Sequence, residues 1–136
     1  MVEIEAVYEG TLRCSATHGP SGSVLETDAP VDNHGRGERY SPTDLVATAL
    51  GACMMTIMGI YANRHEIELK GTRVTVQKHM TTDPPRRIAR LVTEVVVPLP
   101  EDHPHRSAIE KAAVNCPVHL SLHDEVEKPV VFAWVG

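Results

Sequence analysis

Two of the three cysteines stand where a thiol can do chemistry. Cys53 lies inside the apolar helical stretch SPTDLVATALGACMMTIM, and Cys116 precedes Pro117 at the predicted start of a short helix. Free amide N–H groups at a helix start stabilise a thiolate, so the residues alone favour Cys116 as the more reactive thiol. Cys53 lies about 17 Å along its helix, beyond the reach of that field, and by itself it is interpreted as a packing residue.

The remaining cysteine and the histidines have simpler interpretations. Cys14 follows Arg13 on a predicted strand and is expected to be structural, and an odd number of cysteines is not typical of a disulfide-stabilised secreted domain. The spacing Cys116-x-x-His119-x-x-x-His123 puts both imidazoles on one helical face and is an alternative zinc site. No second cysteine pair or carboxylate pattern completes that site, so we expect neither a metal nor another cofactor.

The composition excludes several classes of function. The chain has 136 residues, 42% of them apolar and 23% charged, which is typical of one globular domain spanning residues 1–136. A net charge of −5 and only three Tyr, one Trp and one Phe disfavour nucleic-acid binding. The acidic start MVEIE does not resemble a signal peptide, and the apolar run over residues 45–61 is shorter than the ~20 residues of a membrane span. We therefore expect a cytoplasmic protein with no nucleic-acid or membrane partner.

The predicted elements that must position these residues follow the order βββ-α-ββ-αα-β, which is typical of an α+β domain. Alternating apolar residues and turn signals predict strands over residues 2–8, 11–18, 23–27, 68–80, 88–97 and 130–135. Short helices are predicted over 105–115 and 117–123. A polar loop over 28–40 connects the third strand to the first helix, and loops of this length are often functional.

The helix that begins at Pro42 is the strongest local prediction. Ser41 is a good N-cap, Pro42 suits the first helical position, and Asp44 completes an S-x-x-D capping pattern. From Leu45 onward the helix is apolar on nearly every side, which indicates burial on every side. One small sheet cannot surround such a helix, so a second helix or a second subunit must cover its other face.

Two cysteine motifs carry a resemblance to a known family. The helix SPTDLVATALGACMMTIM and the later NCPVHLSL, 63 residues apart from cysteine to cysteine, resemble the OsmC/Ohr family. The segment TDAPVDNHGRGERYSPTDLVATALGAC is most similar to its broad OsmC-like branch. The resemblance covers nearly the whole chain and implies an α+β fold with antiparallel sheets around two long central helices. It also implies an intertwined homodimer, which would supply the second cover of the apolar helix.

The resemblance further implies a thiol peroxidase. Cys53 would attack an organic hydroperoxide, or hydrogen peroxide, and become a sulfenic acid, and Cys116 would resolve it as an intramolecular disulfide. An external dithiol would then reduce that disulfide. The activating arginine of the family comes from the N-terminal strands, where Arg13 is the best match, with Arg36 and Arg39 as alternatives. The resemblance thus reverses the order of reactivity that the residues alone favour.

One departure from the family pattern supports an alternative. Peroxidase members carry a glutamate directly after the proline that starts the helix, and here Thr43 occupies that position, with Asp44 next. Asp44 could replace the glutamate, but helix capping competes for the same carboxylate oxygens. The alternative is a non-catalytic OsmC-like dimer that binds a small apolar ligand and leaves its cysteines idle.

Overall fold

The structure is a computed structural model that describes all 136 residues, and it contains two compact units, residues 1–46 and 47–136. Each unit contains one three-stranded sheet, and helices follow the first sheet and connect strands of the second. The predicted α+β class and the predicted order of elements are confirmed.

The first unit is an antiparallel sheet of strands β1 (Ile4–Gly10), β2 (Arg13–His18) and β3 (Val24–Asp28), in that spatial order. The register of the pair β2–β3 sets Arg13 directly opposite Asp28. Paired residues on adjacent antiparallel strands lie close enough for their side chains to interact. Strand pairing alone therefore brings a cation and an anion that are 15 positions apart next to each other.

The predicted loop after β3 is present and folds back on the sheet. It contains one turn of 3₁₀ helix (Val31–Asn33), and the N–H of Asp28 donates to the carbonyl of Tyr40 at 3.1 Å. Gly37 has φ +64, and a Cβ on it would lie 2.7 Å from a methyl group of Val31. A glycine is required there, because an L-residue is strained at this φ and the space is filled.

Helix α1 (Pro42–Arg64) begins where the sequence predicts. The N–H of Ser41 donates to Oδ2 of Asp44 at 2.9 Å, and the N–H of Asp44 donates to Oγ of Ser41 at 3.1 Å, which is a reciprocal capping box. The helix has 23 residues and is longer than the apolar run at 45–61. By length and composition this helix could cross a membrane, but the core helix of a soluble protein meets the same criteria. The helix is therefore only weak evidence for a membrane span.

The second unit contains strands β4 (Arg73–Met80), β5 (Ile88–Val97) and β6 (Val130–Trp134), with β5 in the middle. β4 pairs with β5 antiparallel, but β6 pairs with β5 parallel. The expected antiparallel arrangement therefore holds for the first sheet only. The reason is the connection from β5 to β6, because helices α2 (Arg106–Val114) and α3 (Pro117–Ser121) make it long enough for a parallel return.

The core of the second unit lies between α1 and this mixed sheet. Leu50, Met54 and Met58 on α1 are fully buried, as are Leu91 and Val95 on β5. The apolar helix is covered on one side only in the single chain, since Ile60 on it is 44% exposed. The exposed face agrees with the prediction that one sheet cannot surround this helix, and the chain contains one long helix.

Candidate functional site

The two motif cysteines meet in the second unit. Cys53 is half-buried on α1, and Cys116 is fully buried at the N-cap of α3. Cys53 lies close enough to Cys116 to raise the pKa of its thiol, although the two are 63 positions apart in sequence, and both are free thiols. Cys14 lies in the other unit, on β2, where it faces Tyr8 on one side and Thr27 on the other. The third cysteine therefore belongs to a different unit from the motif pair.

The surroundings of Cys116 keep its thiol protonated. Burial raises the pKa of Cys116, and the adjacent Cys53 raises it further, whereas the backbone N–H groups of His119 and Val118 lower it. The N–H of His119 donates to Sγ of Cys116 at 3.3 Å, as expected at an N-cap. The raising causes prevail, so the helix start does not lower the pKa of Cys116 as expected. Burial outweighs the N–H groups of a helix of five residues.

The nearest histidine supplies no positive charge to this thiol. Burial lowers the pKa of His119, and the positive charge of Lys128 lowers it further, so the imidazole is neutral at neutral pH. His123 forms a different contact, because its Nδ1 accepts a hydrogen bond from the N–H of Glu125 at 3.1 Å. No group of three or more His, Cys, Asp or Glu side chains is arranged to hold a metal ion. The structure does not gather Cys116, His119 and His123 into a zinc site.

Arg13 lies in the first unit and forms a bidentate ion pair with Asp28. Its Nε donates to Oδ1 at 2.7 Å and its Nη2 donates to Oδ2 at 2.8 Å. The side chain of Asp28 is 0% exposed and that of Arg13 is 16% exposed. The hydrogen bonds from Arg13 lower the pKa of Asp28 to about 2, and the same bonds raise the pKa of Arg13. Both groups are therefore charged at neutral pH.

The other two candidate arginines lie on the loop after β3 and are held more loosely. Nη2 of Arg36 donates to Oγ1 of Thr11 at 2.6 Å. Nε of Arg39 lies 3.7 Å from a carboxylate oxygen of Glu26, and this side chain is 49% exposed. An exposed ion pair at that distance restrains the arginine side chain only weakly. Of the three arginines, Arg13 therefore has the best-defined position.

The helix start holds the remaining candidate residues. Asp44 takes part in the capping box with Ser41, and Oγ of Ser41 lies 3.2 Å from Oγ1 of Thr43. The expected competition is therefore present, because one carboxylate oxygen of Asp44 accepts the N–H of Ser41. Thr43 contributes a hydroxyl to this polar turn in place of a carboxylate.

Sequence reasoning missed two features of the site and its surroundings. Asp28 was interpreted only as the start of a polar loop, although the hairpin register of β2 and β3 could have paired it with Arg13. A ring cluster at the C-terminal end of α1 was also missed. The cluster consists of five ring side chains, which are those of Tyr61, His65, His103, His105 and Trp134. The hydroxyl of Tyr61 lies 2.7 Å from Nδ1 of His105. No sequence signal joins these residues, because they come from three distant segments.

Comparison with known proteins defines the class of this chain. The model of the OsmC-like protein family matches residues 35–128, which is more than half of the chain. Together with the two-sheet α+β fold, this match shows that the chain belongs to the OsmC-like family. The family resemblance of the two cysteine motifs is confirmed. No curated protein sequence matches the chain.

Several solved structures are similar to this chain over nearly its whole length. A proposed osmotic stress induced and detoxification response protein from Psychrobacter arcticus 273-4 is 40% identical, with a TM-score of 0.90, 97% of this chain covered and 96% of that one. An organic hydroperoxide resistance protein OsmC from Legionella pneumophila is 16% identical, with a TM-score of 0.78 and coverage of 98% and 96%. One from Elizabethkingia anophelis is also 16% identical, with a TM-score of 0.78 and coverage of 98% and 95%. At 16% identity these two show the shared fold alone.

Proposed function

We propose that this protein is a thiol-dependent peroxidase that reduces organic hydroperoxides and also hydrogen peroxide. The observation that carries the proposal is that Cys53 lies close enough to the buried thiol of Cys116 to raise its pKa. A thiol that is oxidised at one cysteine needs a second thiol within bonding reach to regenerate it. The family resemblance makes Cys53 the first to attack, and the raised pKa of Cys116, which keeps that thiol protonated, is consistent with Cys116 as the resolving thiol.

The chemistry balances with these two thiols and one external reductant. The Cys53 thiolate attacks the terminal peroxide oxygen, the O–O bond breaks, and the alkoxide takes a proton and leaves as an alcohol. Cys53 is then a sulfenic acid, two electrons more oxidised than the thiol. The sulfur of Cys116 attacks the sulfenic sulfur, an S–S bond forms, and water leaves with the proton of Cys116. An external dithiol returns two electrons by thiol–disulfide exchange and restores both thiols.

Arg13 is proposed as the cation that stabilises the Cys53 thiolate, with Arg36 and Arg39 as alternatives. A guanidinium suits this task, because it stays protonated at any physiological pH and offers several N–H donors. Of the three, Arg13 is held most firmly. Thr43, in place of the glutamate of the peroxidase members, cannot supply a carboxylate, and Asp44 is engaged in capping.

The protein is proposed to act as a cytoplasmic homodimer. Members of the OsmC/Ohr family are dimers. The exposed face of α1 is consistent with such a dimer, because an apolar helix covered on one side only gains from a second subunit. Free thiols also fit a reducing compartment. The dimer requires no cofactor for the chemistry described above.

The test is consumption of cumene hydroperoxide in the presence of excess dithiol. The wild-type protein should turn over, and Cys53→Ser should lose the activity entirely because no other thiol replaces the nucleophile. Cys14→Ser is the matched control, since Cys14 lies in the other unit, and it should keep the wild-type rate. A Cys53→Ser protein that still turns over, or a folded wild-type protein that never does, would exclude the proposed function.

One observation favours the alternative of a non-catalytic binding protein. A cavity of about 270 Å³ lies between α1 and the segment that leads to β4. It is lined by the apolar side chains of Met55, Met58, Ala62, Ile67 and Leu69, among others. The apolar part of this lining suits a small apolar ligand, while Asn63, Glu68, Lys70 and Thr72 make the rest of the lining polar. If this is the function, Cys53→Ser should leave ligand binding, stability and assembly unchanged, and the wild-type protein should not consume peroxide.

A further inference from the structure

Helix α3 is held in place by few contacts besides its cap. It has five residues, none of them buried, and Leu120 is 67% exposed. Isolated helices shorter than about 12–15 residues are marginal in water, so a helix this short depends on capping and on packing. Within the helix the hydroxyl of Ser121 donates to the carbonyl of Pro117 at 2.7 Å, and the N–H of Leu120 donates to the carbonyl of Cys116 at 3.0 Å. Because packing contributes little, the stability of α3 depends mainly on its cap.

The cap of α3 is the sulfur atom of Cys116. This residue has the extended backbone angles of an N-cap, and its Sγ accepts the N–H of His119 at 3.3 Å. The N–H of Val118 interacts with the same thiol. The first N–H groups of a helix have no partner inside it, and here one buried sulfur atom is the acceptor for two of them. The atom that caps α3 is thus also the sulfur of the proposed resolving thiol.

Disulfide formation conflicts with this capping contact. A disulfide fixes its two sulfur atoms relative to each other, so the position of Sγ of Cys116 is then set by Cys53 on α1 and no longer by α3. The N–H groups of His119 and Val118 lose their acceptor, and water is the partner that remains for them. Water reaches these groups when the first turn of α3 opens.

We propose that α3 is a redox-sensitive element, which is capped and closed in the reduced protein and which opens when the disulfide between Cys53 and Cys116 forms. The proposal rests on the proposed function, because that function supplies the disulfide. Cys116 has no exposed surface in the reduced protein, so its sulfur is shielded from other thiols. Opening of α3 gives the external dithiol access to this sulfur, where thiol–disulfide exchange can begin. The dithiol is oxidised to a disulfide, both cysteines return to thiols, and the restored cap closes α3.

Hydrogen exchange of backbone amides tests this proposal on the wild-type protein. The fully reduced protein is compared with protein treated with one equivalent of cumene hydroperoxide, and mass spectrometry measures the disulfide content of the same sample. We expect the amides of His119 and Leu120 to exchange roughly 5-fold faster, or more, in the oxidised protein, because loss of an N-cap destabilises a helix by about this factor. The amide of Ile109 on α2 is the internal control. It donates to the carbonyl of His105 at 2.9 Å in a helix without a side-chain cap, and it should exchange at the same rate in both states.

Two substitutions at Cys116 separate loss of the cap from formation of the disulfide, because neither variant can form that bond. Serine is a good N-cap and alanine is a poor one. Cys116→Ser should therefore keep α3 closed, whereas Cys116→Ala should open it without any oxidant. We expect the amides of His119 and Leu120 to exchange roughly 5-fold faster in Cys116→Ala than in Cys116→Ser, and peroxide should change the exchange rates in neither variant.

The proposal is overturned if the oxidised wild-type protein contains the disulfide and the α3 amides still exchange at the reduced rate. It is also overturned if folded Cys116→Ala and Cys116→Ser exchange alike, or if the amide of Ile109 accelerates as much as those of α3, since the opening is then not confined to this helix. A wild-type protein in which peroxide forms no disulfide overturns the proposed function and removes the trigger with it. The disulfide content therefore distinguishes the failure of the proposed function from the failure of this proposal alone.

Discussion

Gly51 is the position where the packing of α1 on the second sheet can be tested most sharply. A Cβ at Gly51 would lie 2.8 Å from Cγ1 and 3.3 Å from Cγ2 of Val74, and 3.2 Å from Cγ2 of Val76. Both neighbours are β-branched and have little rotamer freedom, so the helix or the strand must move. Gly51→Ala gains about 1 kcal/mol of helix propensity and loses about 1–3 kcal/mol to overpacking. We expect a net loss of about 1 kcal/mol.

Chemical unfolding at fixed protein concentration measures this loss, and the midpoint of thermal unfolding should fall by about 4 °C. Gly59→Ala is the matched control on the same helix, because no atom lies within 4 Å of its added Cβ. That substitution should raise the free energy of unfolding by about 0.5–1 kcal/mol, the ordinary gain from replacing a helical glycine. If Gly51→Ala is as stable as Gly59→Ala, the close approach of α1 to β4 is incorrect.

Three further predictions follow from single groups. Thr93 is 1% exposed and its hydroxyl has no hydrogen-bond partner, so Thr93→Val should raise the free energy of unfolding by about 1 kcal/mol, while Thr75→Val on the exposed side of β4 should change it little. The pKa of Asp28 is lowered from 3.8 to about 2 in the folded protein, so its contribution is complete above about pH 4 and is lost as the pH falls through 2. Acid unfolding of Asp28→Asn should therefore be less steep than that of the wild type across this range, and equal slopes would contradict the ion pair. Cys116→Ser should trap Cys53 as a sulfenic acid that labels with dimedone after one equivalent of peroxide, and absence of label would argue against Cys53 as the first nucleophile.

Local sequence signals predicted the elements of the fold well. The capping residues placed the start of α1, and alternation placed the strands, because both depend on neighbours in sequence. The predicted strand over 68–80 instead begins at Arg73, after a turn in which Gly71 has φ +97. The parallel pairing of β6 was missed because pairing direction depends on tertiary packing, which alternation does not report.

The candidate site was less predictable, because its properties arise from tertiary contacts. The sequence placed Cys116 correctly at a helix start, yet burial raises its pKa against the effect of the N–H groups. Burial of one side chain depends on everything that packs around it, and motif spacing does not contain that information. Asp28 escaped notice for the same reason, since only the register of β2 and β3 reveals its contact with Arg13.

The central claim is that Cys53 and Cys116 form one redox pair, and peptide mass spectrometry of the oxidised protein tests it most directly. The fully reduced protein is treated with one equivalent of cumene hydroperoxide, alkylated and digested without reductant. The account predicts a cross-linked peptide pair containing Cys53 and Cys116, which requires their Cα atoms to come within ~7 Å, while Cys14 is recovered alkylated. Recovery of Cys53 and Cys116 as alkylated free thiols would contradict it.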